Sequence, residues 1–346
     1  MQSKRIEELD ALRGIAALLV LLFHFTMGRP EANLGFKMGT TGVDLFFIIS
    51  GFVIFMSISK IANSKDFIIN RISRLYPTYW AAVTFSFLLI VFISVIRIGN
   101  FSEIHFRTYV GNMTMFQFYL LIPDIEQPYW TMIVEMLFYI SILFLFHFKL
   151  LKYINIIGLT FTILPVILTQ LLFDILLVQQ IIYWIPLLQF IPLFFAGTIF
   201  YKIYSSKTKL VKQYAMLVSC LTCQILLFNY SGRSKDYIIQ TEYAAMLFIF
   251  FGLFILFVNG KMVFMVSKAT LFFGKISFPL YLIHQFISIK IIIPFLTDKL
   301  HINFWIASIA VALPVVVLLA TGITYFVEIP MGKSMKKKLQ TIFLNK

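Results

Sequence analysis

Apolar runs of about twenty residues recur along the whole chain, the length a helix needs to cross a hydrocarbon core roughly 30 Å thick. Ten are predicted to span, at 11–28, 39–59, 78–97, 129–148, 153–173, 181–203, 213–229, 242–258, 276–293 and 303–327. A bilayer offers backbone groups no water, so only helices or closed barrels cross it. These runs are continuous rather than alternating, which favours helices over the ten-residue segments of a barrel. Of 346 residues, 60% are apolar and 13% charged, against about 45–50% and 25% in soluble domains. Two cysteines exclude a disulfide framework. The expected fold is an all-α, polytopic integral membrane helix bundle with about ten transmembrane helices, forming one domain over 1–346.

The longest polar insertions are 60–77, with Lys60, Lys65, Arg71 and Arg74, and 98–128, with Glu103, Pro123, Asp124, Glu126 and Pro128. Lys and Arg are retained on the cytoplasmic side during insertion. A cytoplasmic N-terminus places 21 of the 29 Lys and Arg on that side: those up to Arg13, those near 60–77, 149–152, 202–212 and 260–275, and those of the tail. The net charge of +14 is thus mainly an orientation signal with attraction to anionic membrane lipid. On the same grounds Lys333, Lys336, Lys337 and Lys338 read as a surface anchor, not a nucleic-acid site. The first apolar stretch lacks a small-x-small cleavage site after Phe25 and is read as a retained helix. Pro165, Pro186, Pro192, Pro279 and Pro314 fall inside predicted spans, where neighbouring helices can satisfy the carbonyls they free.

Ionisable groups inside a span cost several kcal/mol unless paired or wetted, which marks them as functional candidates. Here they are Asp44, Glu135, His24 and His284. Arg13 and His24 are eleven residues apart on one predicted helix, a rotation of about 1100° and a rise of about 16 Å, so they share a face at opposite depths. The predicted topology puts His24, Asp44 and Glu135 at similar outer depth, and Arg13, Arg71 and Arg74 at the inner end. A carboxylate on one imidazole nitrogen raises basicity at the other, as a general base requires. Guanidinium forks match phosphate oxygens in pairs. Coenzyme A, with phosphates at one end and a thiol on a flexible arm, has a reach comparable with the Arg13–His24 rise.

Each residue also has a structural reading. The arginines serve equally as snorkelling anchors, Asp44 or Glu135 as interhelical hydrogen-bond partners, and His284 as a satisfied interhelical histidine. Cys220 and Cys223 form a C-x-x-C inside an apolar span and read as core. His105 and His301 are expected in outer loops, and His147 at an inner helix end. No metal-ligand pattern, Gly-rich phosphate loop or G-x-S-x-G is present.

Six motifs in order carry a resemblance. They are Leu9-Asp10-Ala11-Leu12-Arg13-Gly14 through His24, Gly39-Thr40-Thr41-Gly42-Val43-Asp44-Leu45-Phe46-Phe47, and Arg71-Ile72-Ser73-Arg74-Leu75-Tyr76-Pro77. Trp130-Thr131 through Glu135 to Phe138-Tyr139, Tyr281-Leu282-Ile283-His284, and Tyr325-Phe326-Val327-Glu328-Ile329-Pro330 follow. The chain resembles the membrane-bound acyltransferase-3 family, the bacterial O-antigen, capsule and exopolysaccharide O-acetylases. The resemblance implies a multi-pass protein of the bacterial inner membrane that transfers an acyl group, most often acetyl, from cytoplasmic acyl-CoA to a hydroxyl of an extracytoplasmic glycan such as lipopolysaccharide O-antigen.

On matching positions His24 is implied as the catalytic histidine, Glu135 and Asp44 as active-site residues, and Arg13, Arg71 and Arg74 as donor-binding residues, with no metal. Either direct transfer with His24 as base, or an acyl-histidine intermediate, meets the chemistry. Two other readings stay open: a transporter of glycan or lipid-linked intermediates, and an O-acyltransferase acting on an intracellular small molecule. Many relatives carry an extra soluble esterase-like domain; none is expected within the 16 residues after Pro330.

Overall fold

The structure is a computed structural model and describes residues 6–98, 103–230 and 232–344; residues 99–102 of the 98–128 insertion lie outside the described residues, as do Lys4, Arg5 and Lys346. Among the described residues every regular element is helical. The α-helices are α1 (Glu7–Thr26), α2 (Gly42–Ile58), α3 (Ser64–Ile98), α4 (Glu103–Asn112), α5 (Trp130–His147), α6 (Ile154–Leu171) and α7 (Leu176–Trp184). They continue as α8 (Ile191–Ser206), α9 (Leu210–Leu226), α10 (Gln240–Val258), α11 (Lys268–Gln285), α12 (Leu313–Ile323) and α13 (Ile329–Leu344).

Among the described residues, eight helical stretches are long and apolar enough to cross a membrane, and each overlaps a predicted span, although Ser64–Ser94 begins well before 78–97 and Ile306–Phe343 runs well past 303–327. The other two predicted spans are shorter helices. The run 213–229 is the 17-residue α9. The run 181–203 divides at Ile185 and Pro186: a 3-10 turn, Pro186–Gln189, separates α7 from α8, because proline cannot continue the hydrogen-bond ladder of the helix before it. His105 falls within α4, not in a loop, whereas His301 lies outside any helix.

By its contacts the chain divides into two compact units, Met1–Ser64 with Val134–Gly274, and Lys65–Ile133 with Lys275–Lys346. In the first, α2 packs along α8, and α1, α6, α9 and α10 surround that pair. The α2–α8 crossing is made by two glycines facing each other's backbone. A Cβ on Gly51 would lie 2.0 Å from the Phe194 carbonyl oxygen, and one on Gly197 2.1 Å from that of Ile48. Lipid tails are as apolar as leucine, so such close approach, with the dispersion contacts it permits, is what drives helices together in a membrane. The aromatic rings of Phe47 and Phe138 flank the crossing, stacked on Phe194 at 4.8 and 4.3 Å.

In the second unit, the α-helical pattern widens to π-helical turns at Phe286–Ile292, Ile306–Ala312 and Thr324–Glu328. Each stretch ends two residues before a proline, at Pro294, Pro314 and Pro330. A proline lacks the N–H for the carbonyl four residues back and its ring crowds that oxygen. Those carbonyls, of Lys290, Ala310 and Phe326, all fall within the widened turns, which move them aside.

Gly51→Ala and Gly197→Ala are expected to destabilise the folded protein by about 1–3 kcal/mol each, as overpacked cores do. Thermal unfolding in detergent checks this, with Gly252→Ala as the control because a Cβ there meets nothing within 4 Å.

Candidate active site

Helix α1 begins with Glu7, Glu8 and Asp10 in its first turn, where carboxylates complement the positive end of the helix dipole. Arg13 donates from Nη1 to Asp10 Oδ1 at 3.2 Å, one turn back on the same helix. Eleven residues farther along the unbroken helix sits His24, 9% exposed. Its Nδ1 lies 2.9 Å from the Val20 carbonyl oxygen. That oxygen can only accept, so Nδ1 carries the hydrogen and Nε2 is the basic nitrogen. The Phe23 ring lies beside the imidazole, with centroids 4.9 Å apart, and is itself met edge-on by Tyr237.

The turn of α1 that holds His24 is also the turn on which α2 starts. A Cβ on Gly42 would lie 2.8 Å from both the Ala16 carbonyl oxygen and Val20 Cγ2, and one on Gly39 2.2 Å from the Leu19 carbonyl oxygen. These two glycines bring the start of α2 onto the backbone of α1, and Asp44 follows Gly42 by two residues. Asp44 is buried. Its Oδ1 accepts 2.7 Å from the Tyr243 hydroxyl of α10, and that hydroxyl accepts 3.1 Å from Gln224 Nε2 of α9. The sequence reading puts Asp44 at the depth of His24; its hydrogen bonds join it to a buried chain with Tyr243 and Gln224, and the Val20 carbonyl meets the imidazole.

Glu135, on α5, is met by two hydroxyls. Ser50 Oγ of α2 donates to Oε1 at 2.6 Å, and the Tyr139 hydroxyl, one turn on along α5, donates to the same oxygen. Arg13, His24, Asp44 and Glu135 therefore all belong to the first unit.

Arg71 and Arg74 lie on α3 in the second unit, one turn apart but in different surroundings. Arg71 is buried, with its guanidinium 5.7 Å from the Phe67 ring centre, whereas Arg74 is exposed. His284 is fully buried, and its Nδ1 meets the Leu280 and Tyr281 carbonyl oxygens at 3.1 and 2.9 Å, so that nitrogen is satisfied by its own helix. Its motif partner Tyr281 bridges to the segment before α5, donating to the Pro128 carbonyl at 3.1 Å and meeting Thr131 Oγ1 at 2.9 Å.

Beside that segment lies a carboxyl that the sequence placed in a polar insertion. Glu126 is 1% exposed. It accepts from Ser86 Oγ at 2.7 Å and from the backbone N–H of Phe286, the first residue of a π-helical stretch, at 2.9 Å. Burial pushes its pKa up to about 7, against the two hydrogen bonds, which lower it. Cys220 and Cys223 are free and buried. Among the described residues no group of three or more His, Cys, Asp or Glu is arranged to hold a metal ion.

Eight apolar spans and buried polar residues on their helices define a multi-pass helical membrane protein. A family model described as an acyltransferase domain matches residues 6–325, and the chain belongs to this acyltransferase-3 family. It is 24% identical over 300 residues to the putative acetyltransferase ORF330 of Acidianus two-tailed virus, which covers 82% of this chain and 84% of the relative. It is 36% identical over 63 residues to the exopolysaccharide production protein ExoZ of Rhizobium meliloti (strain 1021), 18% of this chain and 19% of that protein. No solved structure matches it significantly. The protein is a membrane acyltransferase.

Two predictions come from these hydrogen bonds. An acid whose pKa rises on folding binds protons more tightly in the native state, so its contribution to stability falls as pH rises from about 4.5 to about 7 and is flat above. Glu126→Gln keeps an acceptor for Phe286 and removes the charge; thermal unfolding between pH 5 and 8 should lose that slope, with the gain over the parent largest at pH 8. Tyr243→Phe leaves Asp44 without its hydroxyl partner and should destabilise by about 1–3 kcal/mol, as a lost buried hydrogen bond does; Gln224→Ala measures how much of the chain acts together.

Proposed function

We propose that this protein transfers an acyl group, acetyl in the first instance, from cytoplasmic acyl-CoA to a hydroxyl of an extracytoplasmic cell-surface glycan, in the bacterial inner membrane and with its N-terminus cytoplasmic. One observation carries the reading. A single unbroken helix bears Arg13 near its start and, eleven residues on, an imidazole whose tautomer is fixed by the Val20 carbonyl. Eleven residues of α-helix rise about 16 Å, a span that a pantetheine arm can cover.

The chemistry assigned to His24 is general-base catalysis. Nε2 takes the proton of the acceptor hydroxyl as its oxygen attacks the thioester carbonyl. The carbon–sulfur bond breaks, and the same proton passes to the departing CoA sulfur, leaving ester, free CoA and a neutral histidine. While Nε2 holds the proton the ring is cationic, and the Nδ1 hydrogen bond to Val20 then strengthens. Glu135, anchored by Ser50 and Tyr139, and Asp44, anchored by Tyr243, are assigned supporting electrostatic roles in the same unit. Arg71 and Arg74 are assigned to the donor phosphates, for which paired guanidinium hydrogen bonds are suited; Arg13 is the third donor-binding assignment. The name of ExoZ supports a polysaccharide acceptor, and that of ORF330 an acetyl group.

Reconstituted protein supplied with acetyl-CoA should release free CoA only when a glycan acceptor is present. Uptake of glycan into vesicles with no CoA release would overturn the reading in favour of transport. His24→Ala should cut transfer by about 10²–10⁴-fold, the usual worth of a general base, without changing the amount of folded protein in the membrane. Turnover by that variant at the parent rate removes His24 from the chemistry. In cells, loss of the protein should remove an ester from the surface polysaccharide, read by composition analysis.

A further inference from the structure

The basic C-terminal helix is docked on the segment of α3 that carries the two motif arginines. Pro77 has no N–H for the Ser73 carbonyl, four residues back and between Arg71 and Arg74. At that freed oxygen α13 crosses: a Cβ on Gly332 would lie 3.0 Å from it. Farther along, Lys65 Nζ donates to the Phe343 carbonyl near the end of α13 at 3.3 Å. Position 332 therefore meets 73 while 343 meets 65, so the two helices run antiparallel over several turns.

Both helices are too long to end within a membrane. The span Ile306–Phe343 has 38 residues, about 55 Å of helix against a hydrocarbon core of about 30 Å. The span Ser64–Ser94 has 31 residues and overruns by about 15 Å. The paired ends form one two-helix element. Arg74 is exposed on it, and so are Lys333, Lys336, Lys337 and Lys338. Among the described residues none of these four lysines forms an ion pair. Four cations within six residues, with no acid on α13 itself, repel one another.

We propose that α13 is a second wall of the donor-phosphate site: its lysines, docked beside Arg71 and Arg74, bind the phosphates at the nucleotide end of the acyl-CoA. This assignment rests on the donor reading given above and adds to it the residues of the tail, which the sequence alone reads as a lipid anchor. The chemistry is the recognition of phosphate oxygens. Two sources can supply these, the donor nucleotide and lipid headgroups, and the observation that favours the nucleotide is continuity with Arg71 and Arg74 at the Gly332–Ser73 contact.

The test uses full-length protein in nanodiscs of neutral phosphatidylcholine, with CoA as ligand and adenosine 3′,5′-bisphosphate, which has phosphates but no pantetheine arm, as competitor. Replacing Lys333, Lys336, Lys337 and Lys338 together by Gln should raise the Kd of CoA about tenfold and weaken the competitor in parallel, through loss of charge-assisted hydrogen bonds. Replacing all four by Arg, which keeps the charge, should retain tight binding. A CoA Kd that the Gln variant leaves unchanged overturns the assignment. So does tight CoA binding that requires phosphatidylglycerol in the discs and loses that requirement in the Gln variant, because the lysines then serve the lipid. If the parent protein binds CoA in neither disc, the donor reading fails as well, which separates the two failures.

Discussion

Backbone must touch backbone for this fold to exist. In a bilayer the apolar side chains gain little by leaving lipid for protein, so association depends on how closely helices approach and on the few polar groups they share. Gly51 and Gly197 supply that approach where α2 crosses α8, and Gly39 with Gly42 supply it where α2 starts against α1. The second contact also sets the chemistry: the same turn of α1 offers Val20 to Gly42 on its side and to His24 along its axis. A histidine in a membrane helix is costly as a cation and ambiguous as a base. Binding one nitrogen to a backbone carbonyl resolves the ambiguity with atoms that no side-chain substitution can remove.

Three of the acids follow a common plan. Asp44, Glu135 and Glu126 each accept from at least one hydroxyl contributed by another helix or by the next turn of their own. A hydroxyl satisfies a carboxylate without adding a second charge, and it still serves if the acid takes up a proton. Such anchoring lets an acid stay in an apolar setting while fixing its direction, which is what an electrostatic role in catalysis demands. The arginines are handled differently. Arg71 is buried over an aromatic face, and Arg74 one turn later is exposed.

Much of this was legible in the residues. Continuous apolar runs located all eight of the long spans among the described residues, because hydrophobic length is a local property, and six ordered motifs pointed to the family that the match over residues 6–325 establishes. What was not legible is whatever depends on partners far apart in the chain. Nothing near Asp44 signals that Tyr243, 199 residues away, holds it. Nothing in the apolar run 181–203 signals a break except Pro186 and Pro192, and prolines at 165 and 279 sit within intact helices. Glu126 looked like a loop acid because its neighbours are polar, and it is buried because Ser86 and Phe286 come to it. The lysines of α13 read from sequence as a surface anchor, because the Gly332–Ser73 contact joins residues more than two hundred positions apart.

The widened turns that precede Pro294, Pro314 and Pro330 have a further bearing on how such chains diverge. A π turn holds one residue more than the α turn it replaces, so deleting a single residue there restores the regular spiral and leaves the helix beyond it facing the same way, whereas the same deletion in an α turn rotates everything downstream by about 100°. Between Thr324 and Glu328 such a deletion would keep the lysines of α13 on the side of the helix they occupy. Length variation of one residue at these places is therefore a change that relatives can absorb without re-aiming the charged segment beyond it.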